Sequence, residues 1–294
     1  MSERMVDLII EQRRFSLGGG IEVGRLLPAA QQRMVGPFIF FDHMGPFDLL
    51  KGVDRSVDVR PHPHIGLSTV TYLFDGEMMH RDSLGYEQAV RPREVNWMTA
   101  GSGITHSERF ERARAQGDRL HGIQAWVALP KEHEEIAPTF SHHSGSDLPQ
   151  WSEGGVVGQL IAGSAFGLDA AVSTHSPMFY VHLDMAPGAS AEIPENYSER
   201  AIYIATGAVE VQGRRYESGK MLVLGASVSR VRALEQTCVM LLGGESVGPK
   251  HLYWNFVSSS KERITEAASQ WAQGKMKLPD ADDIEFIPLP TEPI

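Results

Sequence analysis

Along this chain apolar and β-branched residues recur in short runs broken by Gly, Pro and Asp, the pattern of many short strands rather than long helices. Residues 6–10 read as an edge strand, and 13–27 as a hairpin on a glycine turn. The glycines do not make a phosphate loop, because no Lys-Ser follows and no helix opens there. Residues 37–42 form an apolar strand leading to His43. Residues 67–74 are β-branched and aromatic and end in an Asp75-Gly76 turn, and 94–100 form another strand closed by Gly101 and Gly103. Four further strands are expected over 156–163, 178–185, 200–207 and 219–225. The segment ending Tyr203…Gly207 echoes the one ending Tyr72…Gly76, a weak internal repeat that fits two copies of one barrel. A single helix is expected over 259–274: Ser259 and Glu262 have capping-box form, Ile264, Ala267, Ala268 and Trp271 share one face, and Gly274 stops it.

Chemistry concentrates between Arg60 and Glu108. The stretch opens with His62-Pro63-His64 and closes with His106-Ser107-Glu108. Residues at i and i+2 of a strand point the same way, so two such strands side by side would aim three imidazoles and one carboxylate at a common point. Their shared desolvation calls for a cation. The N/O donor set suits Fe(II), Mn(II), Ni(II), Cu(II) or Zn(II) and leaves open coordination positions, while the lack of a ligating thiolate argues against structural zinc. His43 and His80 have no i+2 ligand partner and are assigned supporting hydrogen-bonding roles. His142-His143 lies in a Ser/Gly-flanked run read as a solvated linker. The second copy of the repeat has neither an H-x-H before Tyr203 nor an H-x-E after Gly225, and His175 and His182 do not replace them, so its barrel is expected to lack metal ligands.

The runs Phe38-Ile39-Phe40-Phe41-Asp42-His43-Met44-Gly45-Pro46, His62-Pro63-His64-Ile65-Gly66, His80-Arg81-Asp82-Ser83-Leu84-Gly85, Trp97-Met98-Thr99-Ala100-Gly101-Ser102-Gly103-Ile104-Thr105-His106-Ser107-Glu108 and His121-Gly122-Ile123-Gln124-Ala125-Trp126-Val127-Ala128-Leu129-Pro130 are long and in order. They resemble the pirin family of the cupin superfamily. The resemblance implies an all-β fold of two cupin (double-stranded β-helix, or jelly-roll) barrels in tandem with a C-terminal helix: a metal-binding barrel over 1–140 and a second, without ligands, over 141–294. It implies one iron, first of all Fe(II), held by His62, His64, His106 and Glu108. It also implies either of two functions. One is a dioxygenase that opens a flavonol such as quercetin with O2 and releases carbon monoxide, with Glu108 as both ligand and base. The other is a non-enzymatic, iron-dependent redox sensor that binds a transcription factor or metabolic enzyme. A third reading keeps the metal but takes another small enol or phenol as substrate. Phe41, Met44 and Trp97 are the apolar candidates for holding flat rings, with strand alternation deciding which face inward. The chain departs from the family at Arg91-Pro92-Arg93-Glu94, where pirins carry Pro-Gly-Asp.

Composition narrows the partners. The 294 residues suit two domains, and 42% hydrophobic with 22% charged residues is an ordinary globular balance. A formal charge of -10 argues against direct nucleic-acid or anionic-membrane binding. Cys238, the one cysteine, can form no intramolecular disulfide; it points to a reducing compartment and reads as strand packing. No apolar run is long enough for a membrane helix and the first residues lack a signal-peptide core, so a cytoplasmic location is expected. The Pro- and acid-rich tail after Lys277 is expected to lie extended on the surface.

Overall fold

The computed structural model describes residues 6–18 and 21–291. The chain divides into two compact, interleaved units. One comprises the chain up to Arg14, Gly24–His43 and Ser146–Ser246; the other comprises Phe15–Val23, Met44–Gly145 and Val247 onward. This departs from consecutive halves at 140/141: the junction near residue 145 is close to expectation, but the ends of the chain are exchanged. The physical causes are local. The strand Val6–Glu11 pairs antiparallel with Lys220–Leu224, drawing the start of the chain into the first unit. The strand Phe256–Ser258 lies beside Ile65, with Val257 N donating to Ile65 O, drawing the end into the second.

In the first unit a large sheet runs in the order Val6–Glu11, Lys220–Leu224, Glu199–Thr206, Thr237–Gly244, Met178–Met185, Val156–Ala165 and Gln150–Glu153. Val6–Glu11 ends it, as the edge-strand reading expects. A smaller sheet of four strands (Ser190–Glu192, Arg230–Ala233, Ala208–Val211 and Arg214–Glu217) completes a barrel. Its interior is apolar: Leu160, Val181, Leu183, Ile202, Ile204, Val239 and Leu241 are all fully buried in one cluster.

The second unit repeats the plan. Its larger sheet includes, in order, Thr139–His143, Val95–Thr99, Leu67–Asp75 and Asp118–Ala128. The tip of the hairpin between Gly18 and Ile21 lies outside the described residues. A four-stranded sheet of Val59–His64, Ile104–Arg109, Met78–Asp82 and Glu87–Val90 forms the other wall. Two sequence readings change. Residues 139–143 are not a solvated linker but an edge strand paired to Val95–Thr99, with His142 Nδ1 2.8 Å from Asn96 Oδ1. Arg93 occupies the left-handed region at φ 71, where the family's glycine would sit without strain; Arg91 N to Glu94 Oε2, at 2.9 Å, helps to close that turn.

The helix spans Lys261–Ala272, and its cap is Ser260 rather than Ser259: Ser260 Oγ accepts from Arg263 N at 3.2 Å. Its end is as expected. Gly274 N donates to Trp271 O and Lys275 N to Gln270 O, closing a Schellman motif around Gly274 at φ +66. The helix belongs to the second unit, not to the C-terminal barrel, because its buried stripe of Ile264, Ala267, Ala268 and Trp271 packs with Ile65 and Phe256. The connection is locked by Glu134, whose buried carboxylate accepts from Lys250 Nζ at 2.5 Å, Ser258 Oγ at 2.9 Å and Ser259 N at 2.9 Å. Glu134→Ala would leave Lys250 buried and unpaired. It should cost about 3–5 kcal/mol in denaturant unfolding; a loss below about 1 kcal/mol would show that this lock does not hold the segment.

Candidate metal centre

The strands Val59–His64 and Ile104–Arg109 pair antiparallel, with His106 opposite His62 and Ile104 opposite His64. On its other side Ile104–Arg109 pairs with Met78–Asp82, His106 facing Asp82 and Glu108 facing His80. His62, His64, His80, Asp82, His106 and Glu108 therefore share one buried sheet face. Both ligand strands end in turns that need glycine. Gly66 (φ +68) and Gly101 (φ +50) are joined by Gly66 N to Gly101 O at 2.9 Å, and a Cβ on either would strike a carbonyl, of Val257 or of Ile136.

One ring nitrogen from each of His62, His64 and His106 lies within 4.8 Å of the others, a candidate metal-binding cluster. Hydrogen-bond accounting sets their tautomers. His62 Nδ1 is 2.9 Å from Arg60 O and His64 Nδ1 is 3.1 Å from Asn255 O; a carbonyl only accepts, so both Nδ1 atoms carry the proton and both Nε2 atoms present lone pairs. His80 Nε2 lies 3.0 Å from Asp82 Oδ2, and Asp82 Oδ1 also accepts from Leu84 N and Tyr86 N. With Nε2 donating to this carboxylate, His80 Nδ1 accepts from His106 Nδ1 at 3.4 Å, which again bares Nε2. His80 thus takes the supporting role expected of it. His43 bonds Tyr203 in the first unit, 2.6 Å from its hydroxyl.

Burial keeps His62, His64 and His106 neutral. It pushes His62 down to about 4, and His64 and His106, which are further opposed by neighbouring imidazoles, well below the usual range. Burial pushes the Glu108 carboxyl the other way, up to about 8, against the pull of Arg109. His106 Nε2 and Glu108 Oε2 are buried without a hydrogen-bond partner. Neutral nitrogen donors and an orphaned carboxylate oxygen fit a divalent transition-metal ion.

Glu108 is not brought into the three-imidazole group as closely as simple alternation predicts. Its Oε1 lies 3.7 Å from His106 Nδ1. The neighbouring strand is bulged: three residues from His62 to Val59 span the two from His106 to Glu108, so that Glu108 faces Val59, while its own strand keeps unbroken register with Met78–Asp82. Pro61 and Pro63 leave the bulged strand with few ladder donors. The opposite face of the ligand strand is clamped by the tail, which is pinned rather than merely laid on the surface. Thr105 Oγ1 donates to Lys277 O, Ser107 Oγ to Asp282 Oδ2 at 2.6 Å, and Arg109 to both Asp282 oxygens at 2.7 Å. Ile287 N reaches Pro61 O at 2.8 Å.

Across the barrel, strand registers lay out two rows on the inner face of the larger sheet. Trp126, Thr69, Met98 and Phe140 are cross-strand neighbours, as are Gln124, Thr71, Asn96 and His142. This face meets the histidines: Trp126 stands edge-on to His64 at 5.0 Å between centroids and Phe140 stacks on His80 at 4.5 Å. The expected ring-holders lie elsewhere. Phe41 packs against Tyr180 and Tyr203, Met44 joins the Ile21–Leu73 cluster, and Trp97 alternates onto the face opposite Met98. Trp126 and Phe140 are not among the ring-holders the sequence suggests, and Phe140 immediately precedes the run around His142 and His143 that reads as a linker. The i+2 spacing of Gln124 and Trp126 was the available signal.

Sequence and structure comparisons agree with this architecture. The pirin family matches residues 20–127 and the pirin C-terminal cupin domain matches 180–277. A pirin-like protein of Caulobacter vibrioides is 57% identical over 288 residues, covering 97% of this chain and 100% of its own. The chain belongs to the pirin family. A Pseudomonas aeruginosa relative, provisionally named a quercetin 2,3-dioxygenase, is 37% identical and covers 97% of this chain and 90% of its own. The crystal structure of quercetin 2,3-dioxygenase from Acinetobacter baumannii superposes with a TM-score of 0.89 at 32% identity, covering 97% of this pirin and 95% of that chain. The fold is the cupin pair of these proteins. No helix among the described residues is long and apolar enough to cross a membrane.

Two measurements check the site. Metal-free Glu108 holds its proton up to about pH 8 and a metal-bound carboxylate does not, so binding must release that proton. Affinity should therefore rise roughly tenfold per pH unit between about 5 and 8 and flatten above, with about one proton released at pH 6.5 by calorimetry in buffers of different ionisation enthalpy. Glu108→Gln should remove the slope, and a slope that survives places the proton elsewhere. Asp282→Ala, which touches no candidate ligand, should loosen the ligand strand and weaken metal binding by on the order of tenfold.

Proposed function

We propose that this pirin is an iron-dependent dioxygenase that opens a flavonol-like ring with O2, using one divalent ion held by His62, His64, His106 and Glu108. The observation that carries this reading is the meeting of three neutral imidazoles with two buried, unsatisfied donor atoms, His106 Nε2 and Glu108 Oε2. Iron is the ion the resemblance implies, and the same donors would accept Mn, Ni, Cu or Zn. When bound, such an ion supplies Lewis acidity toward an enolic oxygen and, as Fe(II), access to O2 chemistry.

The chain's own residues do the rest. Glu108 is the base that takes the proton of the reacting hydroxyl, its Oε2 being a carboxylate oxygen that no hydrogen bond engages. Trp126 and Phe140 offer apolar walls for flat aromatic rings on either side of the histidine face. Thr71, Gln124, Asn96 and His142 supply a row of hydroxyl, amide and imidazole groups that suits the ring hydroxyls of a polyphenol; Thr71 donates to Gln124 at 2.9 Å. Burial of His62, His64, His106 and Glu108 keeps water from the reacting groups.

The test is quercetin turnover by protein reconstituted with Fe(II) under anaerobic conditions and then given O2. Loss of the flavonol absorbance with carbon monoxide release is expected. His106→Ala should abolish it with folding retained, and Glu108→Gln should slow it by about 10²-fold or more. Stoichiometric binding of each candidate metal without turnover of any flavonol would contradict the enzyme reading. That result would favour an iron-dependent regulatory protein acting through a protein partner.

A further inference from the structure

The first unit carries a second convergence of donor atoms that the flavonol reading does not use. His182 and Asp184 lie two residues apart on the strand Met178–Met185, and Cys238, on the neighbouring strand Thr237–Gly244, pairs directly with Asp184. Alternation puts all three on one sheet face, since Val181, Leu183, Met185, Val239 and Leu241 occupy the other and fill the barrel core. His182 Nε2 is 3.1 Å from Cys238 Sγ and 3.4 Å from Asp184 Oδ1, and one donor atom from each residue lies within 4.8 Å of the others. His182 and Cys238 are buried, while the Asp184 side chain is 33% exposed.

The His182–Asp184 separation is that of neighbouring corners of a coordination tetrahedron, and the His182–Cys238 pair would open by about half an ångström to reach it. Zinc bonds of about 2.0–2.1 Å to nitrogen and oxygen and about 2.3 Å to sulfur place N and O roughly 3.3 Å apart and N and S roughly 3.6 Å apart. Sheet register, not loop geometry, sets the three positions, so little reorganisation separates them from a ligand set.

We propose that His182, Asp184 and Cys238 form a second metal site for a zinc-like divalent ion, with water at the fourth position. It lies on the outer face of the sheet, so the apolar barrel interior of this unit is untouched. Its thiolate sets it apart from the three-imidazole centre, which has no sulfur: the softer ion prefers Cys238, the harder one the histidines and Glu108. Partial exposure of Asp184 gives the ion a way in from solvent. Ligation by adjacent strands would tie Met178–Met185 to Thr237–Gly244 beyond their backbone ladder.

The lone cysteine makes the test unambiguous, since only this site can give a thiolate-to-cobalt charge-transfer band. Chelator-stripped full-length protein is titrated with Co(II) without oxygen. The near-ultraviolet band should appear, saturate at one equivalent beyond any cobalt held by the histidine centre, and be displaced by stoichiometric Zn(II). His106→Ala should leave the band intact, separating this site from the flavonol centre, and Cys238→Ser should abolish it. Should Cys238→Ser fail to fold, Asp184→Asn at the partly exposed position serves instead. It should weaken cobalt binding by at least the roughly tenfold that loss of an outer hydrogen-bond partner costs. Cobalt bound without a charge-transfer band, or a band indifferent to Asp184→Asn, would overturn the assignment.

Discussion

The structure of the second unit turns on one desolvation problem. Three imidazoles and a carboxylate share a dry sheet face, and each unsatisfied buried polar atom there costs about 1–3 kcal/mol. Neutral histidines lower that cost but leave lone pairs facing one another, and a protonated glutamate lowers it at the expense of its charge. A divalent cation answers every part of the problem at once. It gives each bare nitrogen a partner, and it makes the ionised carboxylate the favoured form.

Much of the surrounding chain serves to hold those donors still. The carbonyls of Arg60 and Asn255 orient two imidazoles and the His80–Asp82 pair orients the third. Asn255 comes from the far end of the sequence, which explains why the C-terminal segment belongs to this unit. The tail works from behind: Thr105, Ser107 and Arg109 face it while Ile104, His106 and Glu108 face the barrel interior. Strand alternation thus lets one six-residue strand carry the site on one face and its fastening on the other.

The sequence made the centre legible because H-x-H and H-x-E are read on the two-residue period of a strand, and the strands pair as that period requires. Where the reading failed, a feature without period was at work. A bulge in Val59–His64 sets Val59 rather than Arg60 opposite Glu108, and only the two prolines of that strand signal it. The polar run around His142 looked like a linker because an edge strand half-exposed to solvent has the composition of a loop. The interleaving of the units was hidden because it rests on pairing between residues more than 190 apart, such as Ile10 with Met221 and His64 with Asn255. Apolar patterning shows that a strand exists but not which sheet it joins. The helix stripe, by contrast, was read correctly to the residue, because a helix is a local structure.

The most direct measurement is X-ray absorption at the metal edge of the iron-loaded protein, paired with anomalous diffraction to place the ion. The account predicts one ion bonded to three imidazole nitrogens and a carboxylate oxygen at about 2.0–2.2 Å, with no sulfur neighbour, at His62, His64, His106 and Glu108. Iron absent from this centre, or held there by fewer than three of these imidazoles, would contradict it.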